Sequence, residues 1–179
     1  CTPSRGLGDV YKRQILFLAI IWRINARKYI TSGTVASAYD AWTQDKLLER
    51  LWGEHIHLGF YPPGNKNIDF RKAKVQFVHE LVKWSDLDKL PKGSRILDVG
   101  CGIGGSSRIL AKYYGFNVTG ITISPAQVKR ARELTPSGLN CNFQVMDALD
   151  LKFEDGSFDA VWSVEAGAHM NDKTRFADE

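Results

Sequence analysis

The sequence predicts an α/β domain built on a parallel sheet, with a helical region before it. From residue 95 onward, short apolar segments alternate with segments of helical periodicity, the pattern of parallel strands joined by helical crossovers. The first of these apolar segments ends at a loop in which four glycines fall within residues 100–105. Before residue 90, apolar residues recur mainly at helical spacing, which favours helices over strands.

The first 29 residues are expected to lie outside this domain. Residues 1–14 begin at cysteine, lack hydrophobic periodicity and resemble a translated junction sequence, so we exclude them from the fold. Residues 15–22 form an unbroken apolar run, whereas a membrane-spanning helix needs about 20 residues. The run is either a short core or interfacial helix, or the remnant (15–29) of a membrane anchor with a basic flank. We favour the anchor, because no other segment in this region could cover the run.

Residues 30–92 are predicted to form a helical cap that contributes to the substrate region. Apolar residues recur at helical spacing over residues 34–52, which predicts helical structure there, and a Pro-Pro-Gly loop at 62–64 follows. A further helix is predicted over 68–84, with its apolar face formed by Ala73, Phe77, Leu81 and Trp84. His79 falls outside that face and is expected to be solvated.

Residues 93–179 are predicted to carry four strands and their crossover helices. The strands are expected at 95–99, 117–121, 141–145 and 158–163. One helix is predicted over 106–114, closed by a glycine, and Ser124-Pro125 begins another through an N-cap and a proline at the first helical position. The sequence ends part-way into a further helical pattern, so we expect this chain to be an internal piece of a longer protein.

The glycine loop predicts a ligand site. Gly100, Gly102 and Gly105 fit G-x-G-x-x-G between a strand and a helix, where a ligand can lie against bare backbone at a helix N-terminus. This pattern is weak alone, because it also describes dinucleotide binding. A dinucleotide site usually has an acid about 20 residues further on, whereas Thr122 stands there. Asp98, directly before the loop, extends the motif to D-x-G-x-G-x-G.

That extended motif resembles the first motif of class I S-adenosylmethionine-dependent methyltransferases. The resemblance implies that Asp98 accepts from the cofactor's ammonium, that Asp147 accepts from the adenine amino group, and that His57 meets the cofactor carboxylate. Tyr39 and Tyr61 are other possibilities for that last contact. The remaining implied cofactor residues are Gly100, Cys101, Gly102, Gly104, Thr122, Ile123, Gln127, Ala148 and Ser163.

Each of these assignments has a structural alternative. Asp98 could simply compensate the charge of a helix N-terminus, and Asp147 could be a solvent-facing loop residue. Gln127 stands three residues after Ser124, which also fits a capping box, so its side chain could satisfy only the helix. Cys101 needs no role beyond that of a small loop residue.

Three longer stretches narrow the resemblance to one family. "YDAWTQDKLLERLWGEHIHLGFY" (39–61), "LDVGCGIGGSSRILAKYYGFNVTGITISPAQVKRARELTP" (97–136) and "FDAVWSVEAGAHMNDK" (158–173) together resemble the tocopherol C-methyltransferase family. This implies a Rossmann-like methyltransferase fold, cut after the fourth strand in the order 3-2-1-4, with S-adenosylmethionine as cofactor. It also implies a prenylated hydroquinone as substrate, of the 2-methyl-6-phytylhydroquinone or 2-methyl-6-solanesylhydroquinone type, in tocopherol and plastoquinone biosynthesis.

The resemblance also implies where in the cell the protein works. It leaves alternative functions open. The family's N-terminal anchor implies a membrane surface, cytoplasmic-facing in a cyanobacterium-like cell or at the plastid envelope of an alga. A γ-tocopherol methyltransferase, or another methyltransferase of small lipids, is an alternative. NAD-dependent oxidoreductases and non-catalytic α/β modules are further ones. An unpaired edge on the fourth strand predicts that this chain alone is poorly soluble and inactive.

His169 and Glu165, just past the fourth strand, are the predicted catalytic pair. They could polarise or deprotonate the substrate hydroxyl, or be a helix cap or a structural pair. His55 and His57 form H-x-H, but no third ligand stands at a recognisable spacing, so no metal is expected. A net charge of +4 without a basic block gives no reason to expect nucleic acid, and three scattered cysteines argue for a reducing compartment.

Overall fold

The computed structural model describes residues 31–64 and 67–179, and the expectations for residues 1–14 and 15–29 lie outside these ranges. The fold centres on a four-stranded parallel sheet in the order β3-β2-β1-β4, which confirms the predicted order. The strands are β1 (Arg95–Val99), β2 (Asn117–Thr122), β3 (Cys141–Val145) and β4 (Ala160–Trp162). Strand β4 is shorter than the predicted 158–163. Beyond its ends, the Asp159 carboxylate accepts from the Arg95 N–H, and the Ser163 hydroxyl donates to the Val99 carbonyl.

Helices cover both faces of this sheet. The crossovers are α4 (Gly105–Tyr114) and α5 (Pro125–Leu134), and the region before the sheet forms α1 (Ser32–Gln44), α2 (Leu47–Trp52) and α3 (Phe70–Trp84). A last short helix is α6 (Lys173–Asp178). Four successive residues of β1 are buried, as expected for a parallel strand packed on both sides. One core joins α3 and α4 to the sheet, and a second lies on the opposite face around Leu97, Val99 and Ile121.

The stretch 34–52, over which apolar residues recur at helical spacing, forms two helices. Helix α1 ends at Gln44, and Lys46 adopts a left-handed conformation with φ of 55° before α2 begins. Lysine gives no sequence signal for such a turn, because glycine and asparagine are the residues that usually occupy it. The helical spacing of apolar residues continues across this break, so the spacing alone could not predict where α1 ends.

The predicted apolar face of α3 is partly wrong. The buried residues are Ala73, Lys74, Val78 and Val82, whereas Trp84 is 83% exposed. Lys74 is buried because its ammonium donates to the carbonyls of Trp52 and His55, at 3.1 and 2.7 Å. His79 is not simply solvated, since its Nδ1 lies 2.8 Å from the Tyr114 hydroxyl.

The helical cap is fastened to the α/β domain by three carboxylates. Asp40 accepts from the Ser124 hydroxyl and the Ala126 N–H, at 2.5 and 3.1 Å. Glu49 forms a bidentate salt bridge with Arg130, and Glu54 forms a salt bridge with Arg108 at 2.6 Å. Asp40 lies at the N-terminus of α5, where the helix dipole and unpaired N–H groups favour a negative charge. The cap is thus joined to both crossover helices, α4 and α5.

Within residues 31–64 and 67–179, the part of the chain that the structure describes, no helix is both long enough and apolar enough to cross a bilayer.

Among the described strands, β4 has one strand neighbour, and Val161 on it is 66% exposed. The poor solubility inferred from that edge stays a prediction.

Replacing Asp40 with alanine should loosen the cap. The variant loses the acceptor for the Ala126 N–H at a helix N-terminus, so we expect the free energy of unfolding to fall by about 1–2 kcal/mol. Urea unfolding followed by circular dichroism measures this. Glu80→Ala is the control, because its pair with Lys83 is exposed and long. Equal stability of both variants would show that Asp40 does not fasten the cap.

Candidate active site

A cavity of about 250 Å³ opens at the carboxyl ends of the strands, between the sheet and the cap. This is the edge at which open parallel sheets bind ligands. The residues that line it include most of those predicted for the site: His57, Asp98, Gly100, Cys101, Gly102, Thr122, Ile123, Gln127, Asp147, Ala148, Glu165 and His169. Gly104, Ser163 and Tyr61 do not line it, whereas Tyr39 does. The tertiary structure therefore brings together residues from 39 to 169 of the sequence.

The glycine loop reaches the cavity at Gly102. The N–H groups of Gly100 and Cys101 both donate to the Ile121 carbonyl, at 2.9 and 3.0 Å, which ties the loop to β2. Gly102 has a φ of +56°, and a Cβ built on it meets no atom within 4 Å. A Cβ on Gly104 would instead lie 2.6 Å from the Phe143 ring. Gly104 thus makes room for the core, and Gly102 leaves room for a ligand.

Asp98 is the buried carboxylate of the cavity. Its Oδ2 accepts from the Ser107 hydroxyl at 2.5 Å, in the first turn of α4. Burial raises its pKa to about 6, although hydrogen bonds from the Ser107 side chain and backbone oppose the shift. Asp98 therefore serves the helix N-terminus and also lines the cavity, so the two sequence interpretations are compatible.

Thr122 and Gln127 form a buried neutral pair after β2. The Thr122 hydroxyl donates to Gln127 Oε1 at 2.7 Å, and the Gln127 N–H donates to Ser124 Oγ at 3.1 Å. The Ser124 N–H donates to Thr122, so the reciprocal half of the capping box is not formed. The Gln127 side chain is therefore fixed by Thr122, in the place where a dinucleotide site would carry an acid.

Two neighbouring loops complete this end of the cavity. The Met146 N–H donates to the Thr122 carbonyl at 3.0 Å, and Asp147 Oδ1 accepts from the Leu149 N–H at the same distance. Asp147 thus shapes its own turn and also lines the cavity.

Burial raises the pKa of the Cys101 thiol well above its ordinary value, which leaves it protonated and unsuited to act as a nucleophile.

The opposite wall carries a contact that the sequence did not predict. Tyr39 Oη on α1 lies 2.8 Å from His169 Nε2, although the two residues are 130 positions apart. Glu165, with a left-handed φ of 57°, accepts from the Leu58 N–H through Oε1 at 3.0 Å. Both predicted catalytic residues therefore hold the cap against the loop after β4. A non-glycine residue held in that conformation is the kind of strain that concentrates at functional sites.

His55 and His57 lie on the cap segment beside the glycine loop. His57 Nδ1 lies 2.8 Å from the Leu58 carbonyl, and His57 Nε2 lies 3.1 Å from His55 Nδ1. Burial lowers the pKa of His57, and it lowers that of His55 to about 3. Across residues 31–64 and 67–179, no group of three or more His, Cys, Asp or Glu is arranged to hold a metal ion.

Comparisons with known proteins give the family. Residues 96–179 match the model described as "Methyltransferase domain". A 2-methyl-6-phytyl-1,4-hydroquinone methyltransferase from Synechocystis sp. is 62% identical over 161 residues, covering 89% of this chain and 50% of the relative. A chloroplastic tocopherol O-methyltransferase from Arabidopsis thaliana is 43% identical over 143 residues, covering 74% of this chain and 41% of the relative. The chain thus spans half or less of these curated relatives.

Solved structures agree on the fold. The [4+2]-cyclase SpnF superposes with a TM-score of 0.71 at 29% identity, covering 82% of this chain and 53% of SpnF. Geranyl diphosphate methyltransferase, solved in complex with GPP and sinefungin, gives a TM-score of 0.57 at 25% identity, covering 74% of this chain and 54% of that structure.

The sheet order and the glycine loop at its carboxyl edge define the class I methyltransferase fold. Within that class, the chain belongs to the family of the hydroquinone and tocopherol methyltransferases. The resemblance found in the sequence is therefore confirmed.

Replacing Asp98 with asparagine should change how stability depends on pH. The pKa of Asp98 is about 6 in the folded state and near 3.8 when unfolded, so the folded state binds more protons between those values. As pH rises from about 4 to 6.5, the parent should lose stability relative to Asp98→Asn, by up to about 1.4 kcal/mol per pH unit, and then level off. Urea unfolding of both proteins at several pH values measures this. A difference that is flat, or that grows in the parent's favour, would contradict the buried carboxyl.

Proposed function

We propose that the protein containing this chain is an S-adenosylmethionine-dependent C-methyltransferase of a prenylated hydroquinone, of the 2-methyl-6-phytylhydroquinone type. One observation carries the proposal: a single cavity joins the glycine loop and its acids to the Tyr39–His169 contact. The 62% identity to the Synechocystis enzyme supports this substrate class. The fold alone does not decide the reaction, since a [4+2]-cyclase shares it.

The residues present fit such a cofactor. Asp98 offers a carboxylate for the ammonium, and Gly102 leaves backbone open where a side chain would stand. The paired Thr122 and Gln127 suit the ribose hydroxyls, and Asp147 with Ala148 suits the adenine edge. The bound cofactor supplies an already electrophilic methyl group. The chain's own contribution is then to align the reacting atoms and exclude water.

Tyr39 and His169 provide a path for the substrate's proton. A ring hydroxyl that reaches Tyr39 Oη can pass its proton to that oxygen, while the Tyr39 proton moves along the 2.8 Å contact to His169 Nε2. Loss of the hydroxyl proton raises the electron density of the ring carbon that takes up the methyl. Glu165 Oε1 is engaged by the Leu58 N–H, so Glu165 positions the cap segment in addition to any charge it offers.

The cap supplies an apolar wall for the substrate. Val35, Trp42, Leu48 and Ile56 line the cavity from the cap side, opposite the polar loops of the sheet. A prenylated ring has an apolar tail and a polar head, and such a divided cavity suits both. We also propose that the enzyme works at a membrane surface, in a cyanobacterium-like cell or a plastid, in tocopherol and plastoquinone synthesis. The lipid nature of the substrate is the reason.

Two alternative functions can each be distinguished from the proposed one by a specific measurement. The identity to the Arabidopsis enzyme favours tocopherol as a second candidate substrate, and competition between the two prenyl substrates would rank them. An NAD-dependent oxidoreductase would bind NADH. We expect calorimetry to detect S-adenosylhomocysteine binding and no NADH binding, because Thr122 stands in place of the ribose-binding acid. The reverse result would overturn the proposal.

Replacing Gly102 with alanine should impair cofactor binding selectively. The new Cβ would enter open space in the cavity wall, where the cofactor backbone contact is proposed. We expect affinity for S-adenosylhomocysteine to fall about tenfold or more. Gly138→Ala is a matched control, since Gly138 also has a positive φ and no atom within 4 Å, but does not line the cavity. Similar affinities for the two variants would remove Gly102 from the site.

Alanine at His169 or Glu165 should reduce turnover more than cofactor binding. We expect kcat to fall roughly 100-fold or more for His169→Ala, and by a similar factor for Tyr39→Phe, which removes the hydroxyl that the proton path requires. His79→Ala is the control, because His79 bonds to Tyr114 away from the cavity. The assay is methyl transfer by the full-length protein, with S-adenosylhomocysteine affinity measured in parallel. Normal turnover of both alanine variants would end this catalytic assignment.

A further inference from the structure

The segment 55–58 shows an inverted burial pattern. His55 and His57 are each only 8% exposed, whereas Ile56 is 45% and Leu58 is 74% exposed. Here the polar rings are more buried than the aliphatic side chains, of which Ile56 lines the cavity, and this is the opposite of the usual order of burial. The burial of the two imidazole rings therefore requires an explanation in the contacts that their nitrogens make.

The hydrogen bonds of the two rings have a defined direction. A carbonyl oxygen can only accept, so His57 Nδ1 carries a proton and donates to Leu58. In a neutral ring, His57 Nε2 is then the acceptor, and its neighbour His55 Nδ1 must be the donor. It follows that His55 Nε2 holds an unshared electron pair. Among the described residues, no hydrogen-bond donor is directed at this atom.

The neutral state of both rings has a physical cause. Burial lowers the pKa of each, and for His55 the charges of Arg108 and Lys74 act in the same direction. Glu165 opposes the shift at His57, as does that ring's bond to the Leu58 carbonyl. Both rings are therefore neutral at physiological pH, and the direction of the chain is fixed.

His55 lies against the N-terminus of α4. A Cβ on Gly105, the first residue of that helix, would lie 2.8 Å from His55 Cε1 and 3.0 Å from His55 Nδ1. Asp98 and Gly102 line the same cavity as His55. The open acceptor thus stands beside the loop that is proposed to receive the methionine part of the cofactor.

Two further residues hold this segment in place. The Lys74 ammonium donates to the His55 carbonyl at 2.7 Å, and it lies 5.0 Å from the centre of the Trp52 ring. Glu165 accepts from the Leu58 N–H. The backbone on both sides of His57 is therefore restrained, which sets the position of both rings.

We propose that His55, and not His57, is the histidine that contacts the bound cofactor, by accepting a hydrogen bond at Nε2 from the cofactor's α-ammonium group. His57 is a positioning residue, because it fixes the tautomer of His55 through the bond between the rings. This assignment rests on the proposed function, which supplies the cofactor. It replaces the expectation that His57 meets the cofactor carboxylate, since both nitrogens of His57 are already bonded within the protein.

The first test reads the tautomers directly and needs no activity. In the protein labelled with ¹⁵N-histidine, long-range ¹H–¹⁵N spectra should show His55 and His57 as neutral rings protonated at Nδ1. Addition of S-adenosylhomocysteine should shift His55 Nε2 more than either nitrogen of His57. A proton on His55 Nε2 in the free protein would overturn the proposal.

The second test separates the ammonium contact from a structural effect. We expect His55→Leu to weaken S-adenosylhomocysteine binding about tenfold, while binding of 5′-methylthioadenosine, which lacks the amino-acid part, stays unchanged. His55→Gln, which keeps an acceptor, should recover part of the loss. His57→Leu should also weaken S-adenosylhomocysteine selectively, and it should release the His55 tautomer in the ¹⁵N spectrum.

The control and the contrary outcomes are distinct. His79→Leu, a histidine on α3 that does not line the cavity, should leave both affinities unchanged. If His55→Leu weakens both ligands equally, its role is structural and the proposal fails. If the parent binds neither ligand, the proposed function fails, while the tautomer spectrum still tests the ring assignment.

Discussion

The contact between residues 54–57 and the N-terminus of α4 is the constraint on which the site depends. A side chain on Gly105 would lie 2.8 Å from both the Glu54 carbonyl and the His55 ring. Because interiors are close-packed, any such atom would push the cap segment away from the sheet. The glycine therefore does more than free a backbone angle: it lets two distant parts of the chain share one cavity.

Docking of the cap and construction of the ligand pocket use the same helix end. Asp40 accepts from the Ala126 N–H in the first turn of α5, and Gln127, the next residue, is fixed by Thr122 inside the cavity. The charge that holds the cap therefore lies one residue from a group proposed to bind the cofactor. A shift of the cap would be transmitted directly to that side chain, since both depend on the position of one helix turn.

The site is built mainly from neutral polar groups in a region of low polarity. Thr122 is hydrogen-bonded to Gln127, and His55 is hydrogen-bonded to His57. All four residues are buried, and so is the carboxylate of Asp98. Hydrogen bonds are stronger in such surroundings, and unpaired polar atoms are more costly. The acceptor at His55 Nε2 is open to a donor that arrives with a ligand in the cavity that His55 lines.

The sequence by itself determined the strands, the glycine loop and the class of protein. Strands β1 and β3 have the predicted bounds, and for β1 the apolar run ends directly at Gly100. The tertiary structure alone decided the break at Lys46, the bond between Tyr39 and His169, and the direction of the histidine pair. The local sequence pattern indicates which segments of the chain favour a helix or a strand. They carry no information on which side chains meet across 130 residues, because packing of the whole chain sets that distance.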